Sequence, residues 1–118
     1  MSNFQKQVKE WVVACFGEDI SKDVKERNHR FLEESLETAQ SLGCTQAEAH
    51  QLVDYVFGRP VGEPSQEVGG VMVTLAALCE ASGLDMDKNG ATELERVWMC
   101  IQTIRAKQAA KLKNSPLP

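Results

Sequence analysis

Arg30-Phe31-Leu32-Glu33-Glu34-Ser35-Leu36-Glu37-Thr38-Ala39-Gln40 reads as a helix with two opposed faces. Residues three and four apart stack on a helix, so Glu33, Glu34 and Glu37 share a side, within about 100° of the helical wheel. Phe31, Leu32, Leu36 and Ala39 point the other way. Carboxylates stacked in this way repel one another by a few tenths of a kcal/mol per pair unless positive charge sits among them. Water with counterions, an Arg or Lys, or a hard oxygen-seeking cation such as Mg²⁺ would each meet that need.

Outward from this stretch the chain reads as helix after helix. The apolar set Phe4, Val8, Trp11, Val12 and Cys15 marks a first helix that ends near Gly17, and a polar link over Glu18–Ser21 follows. The acidic helix is expected from about Lys22 to Leu42. Thr45-Gln46-Ala47-Glu48 has the form of a capping box, opening a helix that runs to about Gly58. Arg59-Pro60-Val61-Gly62-Glu63-Pro64 breaks the helical pattern as a loop, with Pro64 suited to a first helical position. From Pro64 to Ala81 the next helix is apolar on nearly every side, which predicts a central, largely buried element. A last helix begins between Asp85 and Ala91, carries Leu94, Val97, Trp98, Ile101 and Ile104 on one stripe, and frays after about Lys111. The expectation is an all-α bundle of about five helices in one domain over residues 1–118. Within it, an N-terminal helix lies in 1–20, a helical core in 22–112 and a disordered tail in 113–118.

Composition narrows the class. With 118 residues and 42% hydrophobic content, the chain can close one modest core. The net charge of −4 argues against a general nucleic-acid binder. Four scattered cysteines (Cys15, Cys44, Cys79, Cys100) lie among apolar neighbours without a CxxC pair, which suits reduced thiols in a cytoplasmic protein. No apolar run reaches the roughly 20 residues needed to span a bilayer, so no membrane association is expected. The surplus of apolar faces on the Pro64–Ala81 helix predicts a homodimer or homotetramer.

Glu67 stands in the first turn of that apolar helix. Acidic residues are favoured there by the helix dipole. The same face continues as Val71, Thr74 and Leu78, an apolar seam that would bring Glu67 towards another helix, where a buried carboxylate needs a partner. If that partner surface is the face of Glu33, Glu34 and Glu37, a divalent cation is the natural neutraliser.

Leu32-Glu33-Glu34-Ser35-Leu36-Glu37, then Gln66-Glu67-Val68-Gly69-Gly70-Val71, then Leu78–Asp85 (LCEASGLD) resemble the motifs of the all-α nucleoside triphosphate pyrophosphohydrolases. That superfamily includes MazG-like proteins and the dimeric dUTPases and dCTPases. The similarity covers roughly residues 27 to 100. It implies a MazG-like fold and a Mg²⁺-dependent hydrolysis (Mn²⁺ as a substitute) of a nucleoside triphosphate to monophosphate and pyrophosphate, in an oligomer. It further implies Glu34, Glu37 and Glu67 as metal ligands, with Glu33 as a ligand or water-positioning base, so that Glu33 and Glu34 carry the catalytic role. The family's last acid in ExxD falls on Gly70 here, which leaves either a weakened site or a degenerate relative. Glu63 or Asp54 could fill in. A Gly69–Gly70 pair is otherwise read as a surface for close helix packing.

A triphosphate also needs cations, and Arg27, His29 and Arg30 before Glu34, and Arg59 on the Gly/Pro loop, are the candidates. Arg30 precedes Glu34 by four residues and Glu37 by seven, so it reads first as their salt-bridge partner, and His29 as an ordinary exposed helix residue. Tyr55 and Phe57 could stack a base; Trp11 and Trp98 fit the core first. Asp85-Met86-Asp87-Lys88-Asn89-Gly90 copies the opening of an EF-hand loop, but its twelfth position is Arg96, so Asp85 or Asp87 is read as a helix cap. The alternative to an enzyme is a catalytically degenerate relative that binds nucleotide, or a helical oligomerisation module.

Overall fold

A computed structural model of the protein describes residues 2–114, with side chains described over residues 2–110. The expected tail therefore lies largely outside the described residues, as do the side chains of Lys111 and Lys113. The described chain is all-helical, in the order α1 (Asn3–Phe16), α2 (Glu18–Lys22), α3 (Val24–Ser41), α4 (Gln46–Phe57), α5 (Pro64–Ser82), α6 (Met86–Met99) and α7 (Ile101–Asn114). It divides into two compact units, one of residues 1–34 with 90–118 and one of residues 35–89. The helix α3 runs through the division, with Glu33 and Glu34 on one side and Glu37 on the other.

Two helices exceed the expected number. The stretch expected as a polar link is α2, whose five residues are too few to show an apolar period. The expected last helix is broken at Cys100. There the Val97 carbonyl accepts both the Trp11 indole N–H at 3.1 Å and the Cys100 amide at 3.2 Å. A side chain entering the backbone ladder, with a tight i→i+3 closure, interrupts the α geometry.

In the first unit α1 packs against α2 and α7. Ser2 caps α1 by accepting from Gln5 N, and Val12 and Cys15 are buried. The Phe16 ring meets Trp11 edge-on at 5.6 Å. The guanidinium of Arg105 donates to the carbonyls of Ala14 and Cys15 at 2.6 and 2.8 Å, placing a cation at the negative end of α1. Burial pushes the Cys15 thiol above its ordinary pKa, against the lowering pull of Arg105 and Arg27. All four cysteines are free thiols.

In the second unit the caps follow the sequence closely. Thr45 and Glu48 form the reciprocal capping box of α4, with bonds of 3.2 and 2.8 Å. Glu63 is the N-cap of α5, accepting from Gln66 N at 3.0 Å, with Pro64 next in line. Gly83 ends α5 at φ 69°, a left-handed conformation that spares the Cβ penalty, and Leu84 N reaches back to the Cys79 carbonyl. Asp85 caps α6 by accepting from Lys88 N, and Asp87, Asn89 and Gly90 are helical, so this segment is a helix start.

The expected burial of α5 is not found among the described residues. Cys79 is its one buried residue, while Val68, Val71, Met72, Val73, Leu75 and Leu78 are 37–70% exposed. On α4 and the loop after it, Leu52, Val53, Val56, Phe57 and Val61 are likewise exposed. An all-round apolar helix buries its faces only where other surfaces cover them. Among the described residues no single helix is long and apolar enough to cross a membrane.

Candidate functional site

The carboxylates expected to act together are carried by two helices. Glu33, Glu34 and Glu37 lie on α3 within little more than one turn, with Glu34 and Glu37 exposed and Glu33 half-buried. Glu67 lies in the first turn of α5 and is exposed. Glu33 and Glu34 belong to the first unit, Glu37 and Glu67 to the second. Among the described residues of either unit, no three His, Cys, Asp or Glu side chains group as a metal site. The donors are all hard carboxylate oxygens, the chemistry Mg²⁺ prefers, and Mg²⁺ characteristically retains several waters.

The basic candidates separate into two settings. Arg27 and Arg30 surround Glu26, a carboxylate only 5% exposed that the sequence reading passed over. Arg27 Nη2 lies 3.4 Å and Arg30 Nε 3.6 Å from Glu26 Oε1, and Gln108 Nε2 donates to the same oxygen at 2.6 Å. Arg30 Nη1 also lies 3.7 Å from Glu33 Oε1. Arg30 enters salt bridges with Glu26 and Glu33, where the helical spacing pointed to Glu34 and Glu37. Arg27 places its guanidinium over the Phe16 ring at 5.2 Å. Three nitrogens here, Arg27 Nε and Arg30 Nε and Nη1, are buried without a hydrogen bond among the described residues. Both arginines are thus oriented on α3 by a buried counter-charge, next to the acidic face. An acid followed by basic residues on one helix hints at such a hub, but the partner Gln108 lies 82 positions away and leaves no local mark.

Arg59 is placed differently. It sits in the second unit at the start of the α4–α5 loop, its guanidinium over the Tyr55 ring at 4.3 Å. This pairing holds one candidate cation and one candidate base-stacking ring together at an exposed edge. Glu63 is taken up by its capping role, and the Ser65 hydroxyl followed by Gln66 N holds its carboxyl below the usual range. Among the described residues nothing beyond the adjoining helix backbone stands within 4 Å of where a Cβ would lie on Gly69 or Gly70, so close packing among them does not account for this pair. Trp11, expected in the core, is half-buried, and Trp98 is 41% exposed.

No protein-family model, characterised protein sequence or solved structure matches this chain.

Proposed function

We propose that the protein is a Mg²⁺-dependent nucleoside triphosphate pyrophosphohydrolase of MazG-like type, working as a homo-oligomer. The observation that carries this reading is the acidic face of α3, where Glu33, Glu34 and Glu37 follow one another directly after two arginines held in place by Glu26. Together with the resemblance in motif, this gives the residues their roles. Glu34, Glu37 and Glu67 would hold Mg²⁺, which when bound would supply Lewis-acid charge to the triphosphate. Glu33 orients the attacking water, and Arg27, Arg30 and Arg59 meet the triphosphate charge. With Gly70 in place of an acid, the site has one carboxylate fewer than the family pattern and binds the metal more weakly.

The oligomer follows from the apolar side chains left open on α4 and α5. Large apolar side chains stay exposed along both helices, more than the single scattered residues normal on a monomer's surface. A second copy offers the same surface and pairs with it about a two-fold axis.

Incubation with a panel of ribo- and deoxyribonucleoside triphosphates and Mg²⁺ or Mn²⁺, scored for pyrophosphate, tests the activity. At least one nucleotide should give stoichiometric monophosphate and pyrophosphate, and Glu34→Gln should abolish the release while the helical circular dichroism stays unchanged. Nucleotide binding without pyrophosphate release would favour the degenerate relative instead.

A further inference from the structure

The helix α6 stops at Met99 and α7 starts at Ile101, although residues 97–104 hold neither glycine nor proline. A break without a helix-breaking residue is held from outside the helix. The Val97 carbonyl shows what holds it. In an unbroken helix that oxygen would accept the Ile101 amide, but here the Trp11 indole N–H and the Cys100 amide take it at 3.1 and 3.2 Å. The first helix touches the chain on both sides of the break. Trp11 meets the last turn of α6, and the Cys15 thiol faces the Ile101 carbonyl at 4.0 Å. One turn further along α7, Arg105 donates to the Ala14 and Cys15 carbonyls. Three residues on again, Gln108 donates to the buried Glu26 carboxylate on α3.

We propose that α1 is a splint across a hinge at Cys100, with the Trp11 indole as the wedge that keeps α6 and α7 separate. In the wedged state α7 lies where Gln108 reaches Glu26. With the indole withdrawn, the Ile101 amide closes on the Val97 carbonyl and the two helices become one. The non-helical residue at 100 sets the rotational phase of α7 relative to α6. Closing the ladder therefore turns Arg105 and Gln108 away from their present partners. Either arrangement supplies the Val97 carbonyl with a donor, so the two differ by few contacts, as a two-state element requires. The coupling runs both ways: a docked α1 favours the Gln108–Glu26 bond, and that bond favours a docked α1. Because Glu26 also faces Arg27 and Arg30, the position of α1 is felt along α3. The hinge lies wholly within the first unit and depends on neither a ligand nor a second copy.

Backbone NMR of the full chain carrying Trp11→Phe or, separately, Gln108→Ala tests the hinge. Trp11→Phe keeps a ring beside Phe16 and removes only the N–H and the second ring of the indole. Residues 99–102 should then move to helical Cα shifts, and exchange of the Ile101 amide with water should slow about tenfold as it gains the Val97 carbonyl. The Gln108 side-chain amide should lose the shift that Glu26 gives it. Gln108→Ala keeps the indole and reads the coupling from the other side: exchange of the Trp11 indole proton should quicken about tenfold. Non-helical shifts persisting at 99–102 in a folded Trp11→Phe chain would overturn the wedge. Unchanged indole exchange in Gln108→Ala would make the two bonds independent and overturn the coupling to α3. A Trp11→Phe chain that loses its helical circular dichroism would make the indole a core residue instead of a wedge, and the hinge would fall with it.

Discussion

The carboxylate of Glu26 and the side-chain amide of Gln108 meet at 2.6 Å, tying the first turn of α3 to α7. Because Glu26 is buried and also faces Arg27 and Arg30, this contact anchors a small charged cluster inside the first unit. Removing the acid takes the counter-charge from Arg27 and leaves Arg30 with Glu33 alone. Glu26→Ala should therefore cost about 2–3 kcal/mol, below the range for fully buried pairs because both arginines keep some solvent contact. Glu26→Gln, which keeps an acceptor for Gln108, should cost about half as much. Both tryptophans lie in the first unit, so the midpoint of urea unfolding by indole fluorescence reports the change there directly.

Charge on the open face of α5 tests the assembly. Val71, Leu75 and Leu78 repeat at helical spacing and remain 37–40% exposed. Light scattering at micromolar concentration should give at least twice the mass of one chain. Leu75→Glu should shift the protein towards monomer by at least 100-fold in dissociation constant, about 3 kcal/mol, because an unpaired carboxylate would enter an apolar interface. A parent protein that scatters as a single chain would rule out this face as a self-association surface.

The Glu63 cap gives a pH dependence with a definite sign. Hydrogen bonds from Ser65 and Gln66 hold the folded carboxyl below its ordinary value of 4.5. A depressed folded pKa means that the cap contributes fully above the unfolded value and is lost as pH falls through the folded one. The parent should therefore melt higher than Glu63→Gln near pH 7, and the difference should close as pH falls below 4.5. The Gln66 amide shift, followed by NMR over the same range, should titrate with the lowered midpoint.

What the sequence discloses here depends on how local each cause is. The Thr45–Glu48 capping box, the Pro64 start and the Asp85 cap are written within four residues, and each stands where its motif puts it. The break at Cys100 has no glycine or proline to announce it. It depends on the Trp11 indole reaching the Val97 carbonyl from 86 positions away. The uniform apolarity of α5 correctly signals a demand for burial, but not which surface meets it, since a covering surface need not belong to the same chain. The shared face of Glu33, Glu34 and Glu37 follows from helical spacing alone. Their relation to Glu67 is a matter of tertiary or quaternary placement, which spacing does not encode.

Gly70 offers the most direct test of the proposed metal site. It stands three residues after Glu67 on α5, and among the described residues nothing beyond the adjoining helix backbone lies within 4 Å of where its Cβ would be. The Thr74 hydroxyl donates to the Gly70 carbonyl at 2.9 Å, a bond that a side chain at 70 leaves intact because it uses the backbone. Gly70→Asp is therefore accommodated within the chain and should gain a few tenths of a kcal/mol from helix propensity. If Glu67 is a ligand, the new carboxylate one turn along should tighten Mn²⁺ binding about tenfold, equivalent to about 1.4 kcal/mol, and raise pyrophosphate release in parallel. Unchanged affinity in a well-folded variant would mean that position 70 faces away from the metal. A fall in oligomer mass would mean that Gly69 and Gly70 make close backbone contact with a second copy, where an added side chain forces the helices apart. Calorimetry and light scattering on the same sample separate these outcomes, and the first fixes whether the missing acid is the reason for a weak site.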